Sequence, residues 1–188
     1  MPFTVRDFQS ADFEALWRID QDCFPSGISY SRAELKAYIR RHGSLTLVAL
    51  NIADPAASPD PGRSEKYFPA SPSLAAPIAG FIVAEAGSPA SGHIITGHII
   101  TIDVLAAARR SGVGSLLLGR AEDRLLAAGC RSVGLETAVD NISALSFYKR
   151  QGYSVIRTFP RYYSNGVDAL LLRKDLIPQP RDQAPIRN

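Results

Sequence analysis

The order of apolar and polar residues predicts strands that alternate with helices along the chain. Alternation over residues 3–8 predicts a half-exposed strand, and apolar residues at helical spacing follow Ser10, which we interpret as a helix cap. This helix is expected to end near Phe24, and a capping box of Ser31 and Glu34 begins a second helix. Apolar runs bounded by glycine or proline predict the later elements. They are strands at 45–51, 78–86, 97–104, 131–138, 153–159 and 167–175, and helices at 115–128 and 142–151.

This order of elements predicts an α/β fold of three layers. Helices are expected on both faces of a twisted sheet that is mixed and mostly antiparallel. The chain has 188 residues, enough for one domain with a substantial core, which we place at residues 1–176.

Two segments differ in amino-acid composition from the rest of the chain. Residues 54–77 hold six of the 13 prolines, and we interpret them as a surface insertion between two strands, with a functional lid as the alternative. Residues 177–188 hold three more prolines among charged and polar residues, which predicts a flexible C-terminal tail.

Composition and charge narrow the class of protein. A hydrophobic content of 46% and a charged content of 21% are ordinary for a globular domain. The net charge of +3 is mild, and no basic block with interleaved aromatic residues indicates nucleic-acid binding. Neither a signal peptide nor a bilayer-length apolar run is visible, so we expect a cytoplasmic protein without membrane contact.

Cysteine and histidine positions do not indicate a metal site. Cys23 and Cys130 are far apart with no metal or redox spacing, and we interpret both as buried small residues. His42, His93 and His98 are scattered, so we expect surface or strand roles for them.

The most informative stretch joins a β-branched strand, a glycine turn and a helix. The strand at 99–104 is followed by the segment 109–114, which holds Gly112 and Gly114, and then by Ser115 at the helix start. Backbone N–H groups in a first helical turn lack partners within the helix and attract anions such as phosphate. The two glycines let a diphosphate approach these groups and tolerate positive φ. The residues exclude the Walker and dinucleotide patterns, because Ser115 and Leu117 stand where lysine and glycine are required.

The segment Arg109-x-x-Gly112-x-Gly114 resembles the pyrophosphate loop of the GCN5-related N-acetyltransferases (GNAT superfamily). Two later segments strengthen this resemblance. They are 135–153, with Leu135-Glu136-Thr137, Asn141, Ala144, Phe147-Tyr148 and Gly152-Tyr153, and 161–169, with Arg161-Tyr162-Tyr163. The second is similar to the ending of the branch that contains ribosomal-protein alanine and N-terminal protein acetyltransferases. The resemblance covers roughly residues 99–176 with good specificity and is looser before them.

The resemblance implies acetyl-CoA as cosubstrate and no metal. It places the thioester carbonyl near a backbone N–H of Val104, in a gap between the strands at 97–104 and 131–138. The residues implied to bind the coenzyme are Ile102, Asp103, Val104, Arg109, Arg110, Ser111, Gly112, Val113, Gly114, Ser115 and Asn141. Asn141 is equally expected to cap the helix at 142–151.

The resemblance also implies two catalytic residues. Glu136 matches a proton-accepting carboxylate that works directly or through water, and Tyr148 matches the acid that protonates the coenzyme sulfur. The alternatives are a solvent-facing strand carboxylate for Glu136 and a buried aromatic residue for Tyr148.

The acceptor implied by this branch is the N-terminal α-amine of a protein or peptide, which includes ribosomal proteins. Five residues are candidates to contact it: Phe24, Ile28, Tyr30, Tyr162 and Tyr163. Plain packing is an equal alternative for the first three. A small amine or a lysine side chain is an alternative acceptor, and a non-catalytic acyl-CoA-binding module is an alternative class. Either a monomer or a homodimer is expected. The chain departs from the branch at residues 105–108 and lacks a tryptophan after Phe24-Pro25.

Overall fold

The computed structural model describes residues 3–24, 28–52, 77–87 and 95–177. Several predictions lie outside these residues: the insertion at 54–77 except Pro77, the tail at 177–188 except Ile177, the turns at 26–27 and 88–92, and His93.

Seven strands and four α-helices make up the described chain. The elements are β1 (Phe3–Asp7), α1 (Phe13–Cys23), α2 (Arg32–Arg40), β2 (Ser44–Asn51), β3 (Ile78–Ala86), β4 (Thr96–Val104), α3 (Val113–Ala127), β5 (Ser132–Ala138), α4 (Ile142–Arg150), β6 (Ser154–Phe159) and β7 (Ala169–Asp175). Two short 3-10 turns, Ser10–Asp12 and Ala106–Ala108, precede α1 and α3.

The strands form one mixed sheet in the order β1-β2-β3-β4-β5-β7-β6. Pairing is antiparallel between β1 and β2, between β5 and β7, and between β6 and β7, whereas β4 and β5 run parallel. The predicted α/β class with a mixed, mostly antiparallel sheet flanked by helices is confirmed. The prediction of a single domain over residues 1–176 stays a prediction.

The described chain divides into two compact units. The first unit comprises Met1–Ala84 and Ile100–Ala121, and the second comprises Glu85–Ile99 and Glu122–Asn188. Apolar side chains from α1, α2, β2 and β3 form the core of the first unit, because each of these elements turns one apolar face inward. The fully or almost fully buried members of this core are Leu16, Ile19, Leu35, Val48, Phe81 and Val83.

The second unit contains a carboxylate with two partners, Glu122 on α3. Lys174 Nζ donates to Glu122 Oε2 at 2.6 Å, and the Tyr153 hydroxyl donates to Oε1 at 3.0 Å. Burial raises the pKa of the Tyr153 hydroxyl above its ordinary value, and the adjacent Glu122 charge acts in the same direction. The tyrosine therefore stays protonated and serves as a donor.

Two predicted helix starts are wrong, and one is confirmed. Ser10 lies inside the first 3-10 turn, and the cap is instead a reciprocal pair in which Gln9 N donates to Asp12 Oδ2 at 2.8 Å. Helix α3 begins at Val113, two residues before the predicted start. The capping box of α2 is present, with Glu34 N donating to Ser31 Oγ at 3.3 Å and Ser31 N donating to Glu34 Oε2 at 2.9 Å.

Candidate active site

The glycine turn before α3 lies in the first unit and directly precedes the start of that helix. The first backbone bond of α3 runs from Leu116 N to Gly112 O at 3.0 Å, so the amides at positions 113–115 precede the first regular helical bond. Gly112 adopts φ +92°, which a β-carbon would strain, whereas Gly114 lies in the helix. Of the two glycines, Gly112 thus uses the tolerance of positive φ, and Gly114 does not. Arg110 adopts φ +63°, which turns the chain sharply before the helix.

The side chain of Arg109 ties the turn to the end of β4. Its Nε donates to Val104 O at 3.0 Å, and its Nη2 lies 3.8 Å from Cys23 Sγ. The Cys23 thiol donates to the same carbonyl oxygen at 3.4 Å. Cys23 is half-buried rather than buried as predicted, while Cys130 is buried. Burial and the charge of Asp103 raise the pKa of the Cys23 thiol, which keeps it a neutral donor.

The predicted coenzyme-binding end of β4 contains a buried acid, Asp103. Only 1% of this residue is exposed, and Thr101 Oγ1 donates to its Oδ2 at 2.9 Å. Burial raises its pKa from 3.8 to about 8, the charge of Asp20 adds to this effect, and the charge of Arg109 opposes it. Asp103 is therefore mostly protonated near neutral pH. Ile102 and Val104 on the same strand are partly buried.

The connection between α1 and α2 contains three of the predicted acceptor residues. Phe24, Ile28 and Tyr30 are all partly buried. Tyr30 N donates to Asp20 Oδ2 at 2.8 Å, and Trp17 Nε1 donates to Tyr30 O at 3.2 Å. These contacts make Tyr30 part of the packing of the first unit. Its role toward an acceptor stays a prediction.

Glu136 lies on β5 in the second unit, beside a histidine. His98 Nε2 lies 3.0 Å from Glu136 Oε2, and the two side chains are 36% and 19% exposed. The parallel pairing of β4 with β5 joins Thr96 to Ser132, Gly97 to Val133 and His98 to Gly134, and within the described residues it ends there. Glu136 therefore follows the last paired residue by two positions.

Asn141 confirms its expected capping role. Its Oδ1 accepts from Ala144 N at 3.1 Å at the start of α4, and the residue is exposed. Tyr148 on the same helix is 6% exposed, with its ring 5.1 Å from Phe147 and 5.5 Å from Tyr153. This aromatic cluster fits the packing alternative for Tyr148, and its catalytic role stays a prediction.

Tyr162 and Tyr163 lie in the turn between β6 and β7. Tyr162 is 54% exposed, Tyr163 is half-buried, and their rings meet edge to face at 5.2 Å. Arg161 adopts φ +52°, and its backbone N donates to Asp168 Oδ1 at 2.8 Å, which shapes the turn. Burial raises the pKa of Tyr163, and the charge of Glu136 adds to this effect. Tyr163 therefore lies within electrostatic range of Glu136.

The sequence predicted only a surface or strand role for His98 and did not indicate its contact with Glu136. The two residues are 38 positions apart, and only the register of β4 against β5 makes them neighbours. A strand histidine gives no local signal of this kind, so the contact could not be found without the pairing.

None of the helices in the described part of the chain is long and apolar enough to cross a membrane. Across residues 3–24, 28–52, 77–87 and 95–177, no group of three or more histidine, cysteine, aspartate or glutamate side chains could hold a metal ion.

Solved structures with the same fold include a complex bound to a peptide and CoA and an N-acetyltransferase of a ribosomal protein. The NatC complex bound to Gag peptide and CoA superposes with a TM-score of 0.73 at 23% identity, covering 94% of this chain and 100% of that one. The ribosomal-protein-S18-alanine N-acetyltransferase of Escherichia coli gives a TM-score of 0.68 at 16% identity, covering 97% and 99%. At these identities the likeness establishes the fold alone.

Relatives in sequence share higher identity over a shorter span. An uncharacterized N-acetyltransferase of Methanocaldococcus jannaschii is 37% identical over 101 residues, which are 50% of this chain and 65% of that protein. The N-alpha-acetyltransferase MAK3 of Arabidopsis thaliana is 39% identical over 85 residues, which are 45% and 44%. The matched span thus covers less than two thirds of either relative. The family model of the acetyltransferase (GNAT) family matches residues 13–153, about three quarters of the chain. This chain therefore belongs to the acetyltransferase (GNAT) family.

Proposed function

We propose that this chain transfers an acetyl group from acetyl-CoA to the N-terminal α-amine of a protein or peptide. The family match supports the reaction class. The name of the Arabidopsis relative, an N-alpha-acetyltransferase, supports the choice of acceptor.

The observation that carries the proposal is the position of Glu136. The carboxylate keeps partial exposure and lies two residues past Gly134, where the pairing of β5 with β4 ends. An open strand edge can pair with an extended ligand through its main-chain groups. Glu136 is therefore beside an edge that suits an extended ligand, and it can exchange protons with solvent.

The glycine turn suits the diphosphate of acetyl-CoA. Left-handed Gly112, the helix start at Val113 and the exposed cation Arg110 together offer amide donors and positive charge. Bound acetyl-CoA supplies an acyl group activated as a thioester. Residues 109–115 hold its diphosphate, Asn141 binds its arm, and the backbone N–H of Val104 stabilises charge on the carbonyl oxygen.

Two side chains move the protons in this proposal. Glu136 takes a proton from the acceptor amine, directly or through one water, and Tyr148 gives its hydroxyl proton to the coenzyme sulfur. A protein α-amine has a pKa of about 7.7–8.0, so a carboxylate is a sufficient base near neutral pH. Tyr162, Tyr163, Phe24, Ile28 and Tyr30 contact the acceptor peptide.

An assay of the purified chain with acetyl-CoA and several acceptors tests the proposal. The acceptors are peptides with different first residues, one from a ribosomal protein among them, the same peptides with a blocked N-terminus and one lysine, and a polyamine. We expect thiol release with the free N-termini, and mass spectrometry should locate the acetyl group on the α-amine. Preference for the blocked lysine peptide or the polyamine would reassign the acceptor. Coenzyme binding without turnover of any acceptor would indicate a non-catalytic module.

Substitution of the two catalytic candidates tests the mechanism. We expect Glu136→Gln to lower kcat by about 10²-fold or more, because the base is lost while the shape is kept. Tyr148→Phe should lower kcat without weakening acetyl-CoA binding by calorimetry. Asp123→Asn, which removes an exposed carboxylate of α3, is the matched control. Unchanged turnover in both catalytic variants would contradict the assigned roles.

A further inference from the structure

The contact between His98 and Glu136 suggests a role for a residue that the family resemblance left unassigned. His98 Nε2 lies 3.0 Å from Glu136 Oε2, a hydrogen-bond distance. An ionised carboxylate only accepts hydrogen bonds, so the imidazole is the member of this contact that can donate. The contact engages Oε2, one of the two oxygens of the carboxylate.

The strand register explains how the two side chains meet. His98 pairs with Gly134, and Glu136 is two residues further along β5, so the side chains of all three positions project from one face of the sheet. His98 therefore lies diagonally across the strand pair from Glu136, a spacing that long side chains can bridge. A β-carbon at Gly134 would meet Leu172 O at 3.4 Å and Leu171 Cδ1 at 3.7 Å. Packing with β7 alone thus leaves room for a small side chain there.

The surroundings argue against a mainly structural role for this pair. Both side chains keep contact with solvent, at 36% and 19% exposure, and partly exposed ion pairs contribute little to stability. Burial raises the pKa of the Tyr163 phenol, and the charges of Tyr162 and Glu136 add to this effect. A histidine at 3.0 Å from one oxygen restricts the orientation of the carboxylate.

We propose that His98 is a positioning residue that orients Glu136 as the base, which rests on the function proposed above. The Nε2–H of His98 holds Glu136 Oε2, and this directs Oε1 toward the acceptor amine. When the amine attacks the acyl carbon, the new C–N bond replaces the C–S bond, and the sulfur leaves with the hydroxyl proton of Tyr148 as proposed above. The proton of the amine moves to Oε1, and the carboxylate becomes a carboxylic acid that keeps its contact with His98. No proton leaves the imidazole in this step.

Three variants and one control test this role. His98→Leu removes the donor, His98→Gln keeps an amide donor on a side chain that does not titrate, and His98→Leu with Glu136→Gln removes both members. His42→Leu, at an exposed histidine after α2, is the control. The measurements are kcat, KM for acetyl-CoA and the melting temperature, with the peptide acceptor preferred by the wild-type chain.

We expect His98→Leu to lower kcat by about 10- to 100-fold, the effect of one hydrogen bond to a charged group, with an unchanged KM for acetyl-CoA. His98→Gln should retain kcat within about threefold, because the donor is kept. The double variant should be no slower than Glu136→Gln alone, because a residue that acts through Glu136 has no effect once the base is gone. The melting temperature of each variant should match that of His42→Leu.

Four outcomes would overturn the positioning role. They are a kcat of His98→Leu within about twofold of the wild type, a loss in His98→Gln as large as in His98→Leu, multiplied losses in the double variant, and a fall in melting temperature that accompanies the loss of kcat. A wild-type chain that turns over no acceptor would overturn the proposed function and this role together. Glu136→Gln without effect, beside a slow His98→Leu, would contradict the assignment of the base.

Discussion

Two shielded carboxylates, Asp103 in the first unit and Glu122 in the second, have opposite surroundings. Asp103 is 1% exposed, accepts a hydrogen bond from Thr101, and has its pKa raised to about 8 by burial and by Asp20. Glu122 has a side chain that is 13% exposed and accepts from Lys174 Nζ at 2.6 Å and from the Tyr153 hydroxyl. Burial alone therefore does not determine what a carboxylate contributes. Burial without a close cation favours the protonated, neutral form of an acid. A carboxylate that is paired with a cation stays charged and can join the two elements that carry the pair.

The surroundings of Glu136 differ from those of both Asp103 and Glu122. It is neither sealed like Asp103 nor held by a lysine like Glu122, because its partner is a half-exposed histidine. A base must exchange protons with its substrate, which requires access and an adaptable partner. Of the three carboxylates, Glu136 is the one whose surroundings suit proton transfer.

The largest expected effect concerns Asp103 and pH. Its folded-state pKa of about 8 exceeds the ordinary 3.8, so the folded chain holds this proton more tightly than the unfolded chain. This contribution to the free energy of unfolding is complete below about pH 4, declines as the pH rises, and is lost above about pH 8. Asp103→Asn removes the titration and still accepts the hydrogen bond of Thr101. Between about pH 5 and pH 7, the slopes of the variant and the wild type should differ by about 1.4 kcal/mol per pH unit.

Urea unfolding at several pH values measures this difference. The variant should be more stable than the wild type above about pH 8, where the wild-type carboxylate is charged and buried with the Thr101 hydroxyl as its close partner and no close cation. Parallel slopes for the two proteins would show that Asp103 titrates normally.

The second expected effect concerns Glu122, whose substitution should destabilise the chain. Glu122→Gln should lower the free energy of unfolding by about 2 kcal/mol at neutral pH, because Lys174 loses its partner and Tyr153 loses a charged acceptor. Asp123→Asn, on the exposed side of α3, should change stability by less than about 0.5 kcal/mol and is the control. Equal stabilities of the two variants in urea would mean that the Glu122 cluster contributes little.

A third effect concerns two glycines of the first unit. A β-carbon at Gly80 on β3 would lie 2.4 Å from Asp103 O and 3.1 Å from Val104 Cα, both backbone atoms. Gly80→Ala should therefore lower the free energy of unfolding by about 1–3 kcal/mol, as overpacking does. A β-carbon at Gly119 on α3 would have no neighbouring atom within 4 Å, so Gly119→Ala should stabilise the helix by about 0.5–1 kcal/mol. In thermal unfolding, the melting temperature of Gly80→Ala should fall and that of Gly119→Ala should rise. Shifts of both melting temperatures in the same direction would contradict this contrast.

The smallest effect compares the helix caps of the two units. Ser31→Ala and Asn141→Ala should each lower the free energy of unfolding by about 1 kcal/mol, because each removes a side-chain acceptor for an N-terminal amide. If Asn141 also binds the arm of acetyl-CoA, its variant alone should raise KM for acetyl-CoA. A KM that is equal in the two variants would limit Asn141 to capping.

Most of the elements could be predicted from local patterns. Strand β3 has the predicted bounds of 78–86, because its apolar run lies between Pro77 and Gly87. The start of α3 differs from the prediction by two residues, since Val113 and Gly114 are weak helix formers and the turn at Gly112 sets the start. Serine is a common helix cap, but Ser10 lies inside a 3-10 turn. The cap of that turn is therefore Gln9, one residue earlier, and Asp12 completes the capping pair.

The sequence by itself determined the alternation of strands and helices, the cap of α2, the glycine turn and the family resemblance at residues 99–176, because these depend on residues close together in the chain. The tertiary structure alone decided which side chains meet across strands and helices. The pairing of His98 with Glu136, the tie of Arg109 to Val104, and the raised pKa of Asp103 all depend on register and burial. Local patterns do not encode these properties, because desolvation and hydrogen bonding depend on residues that are distant in the chain.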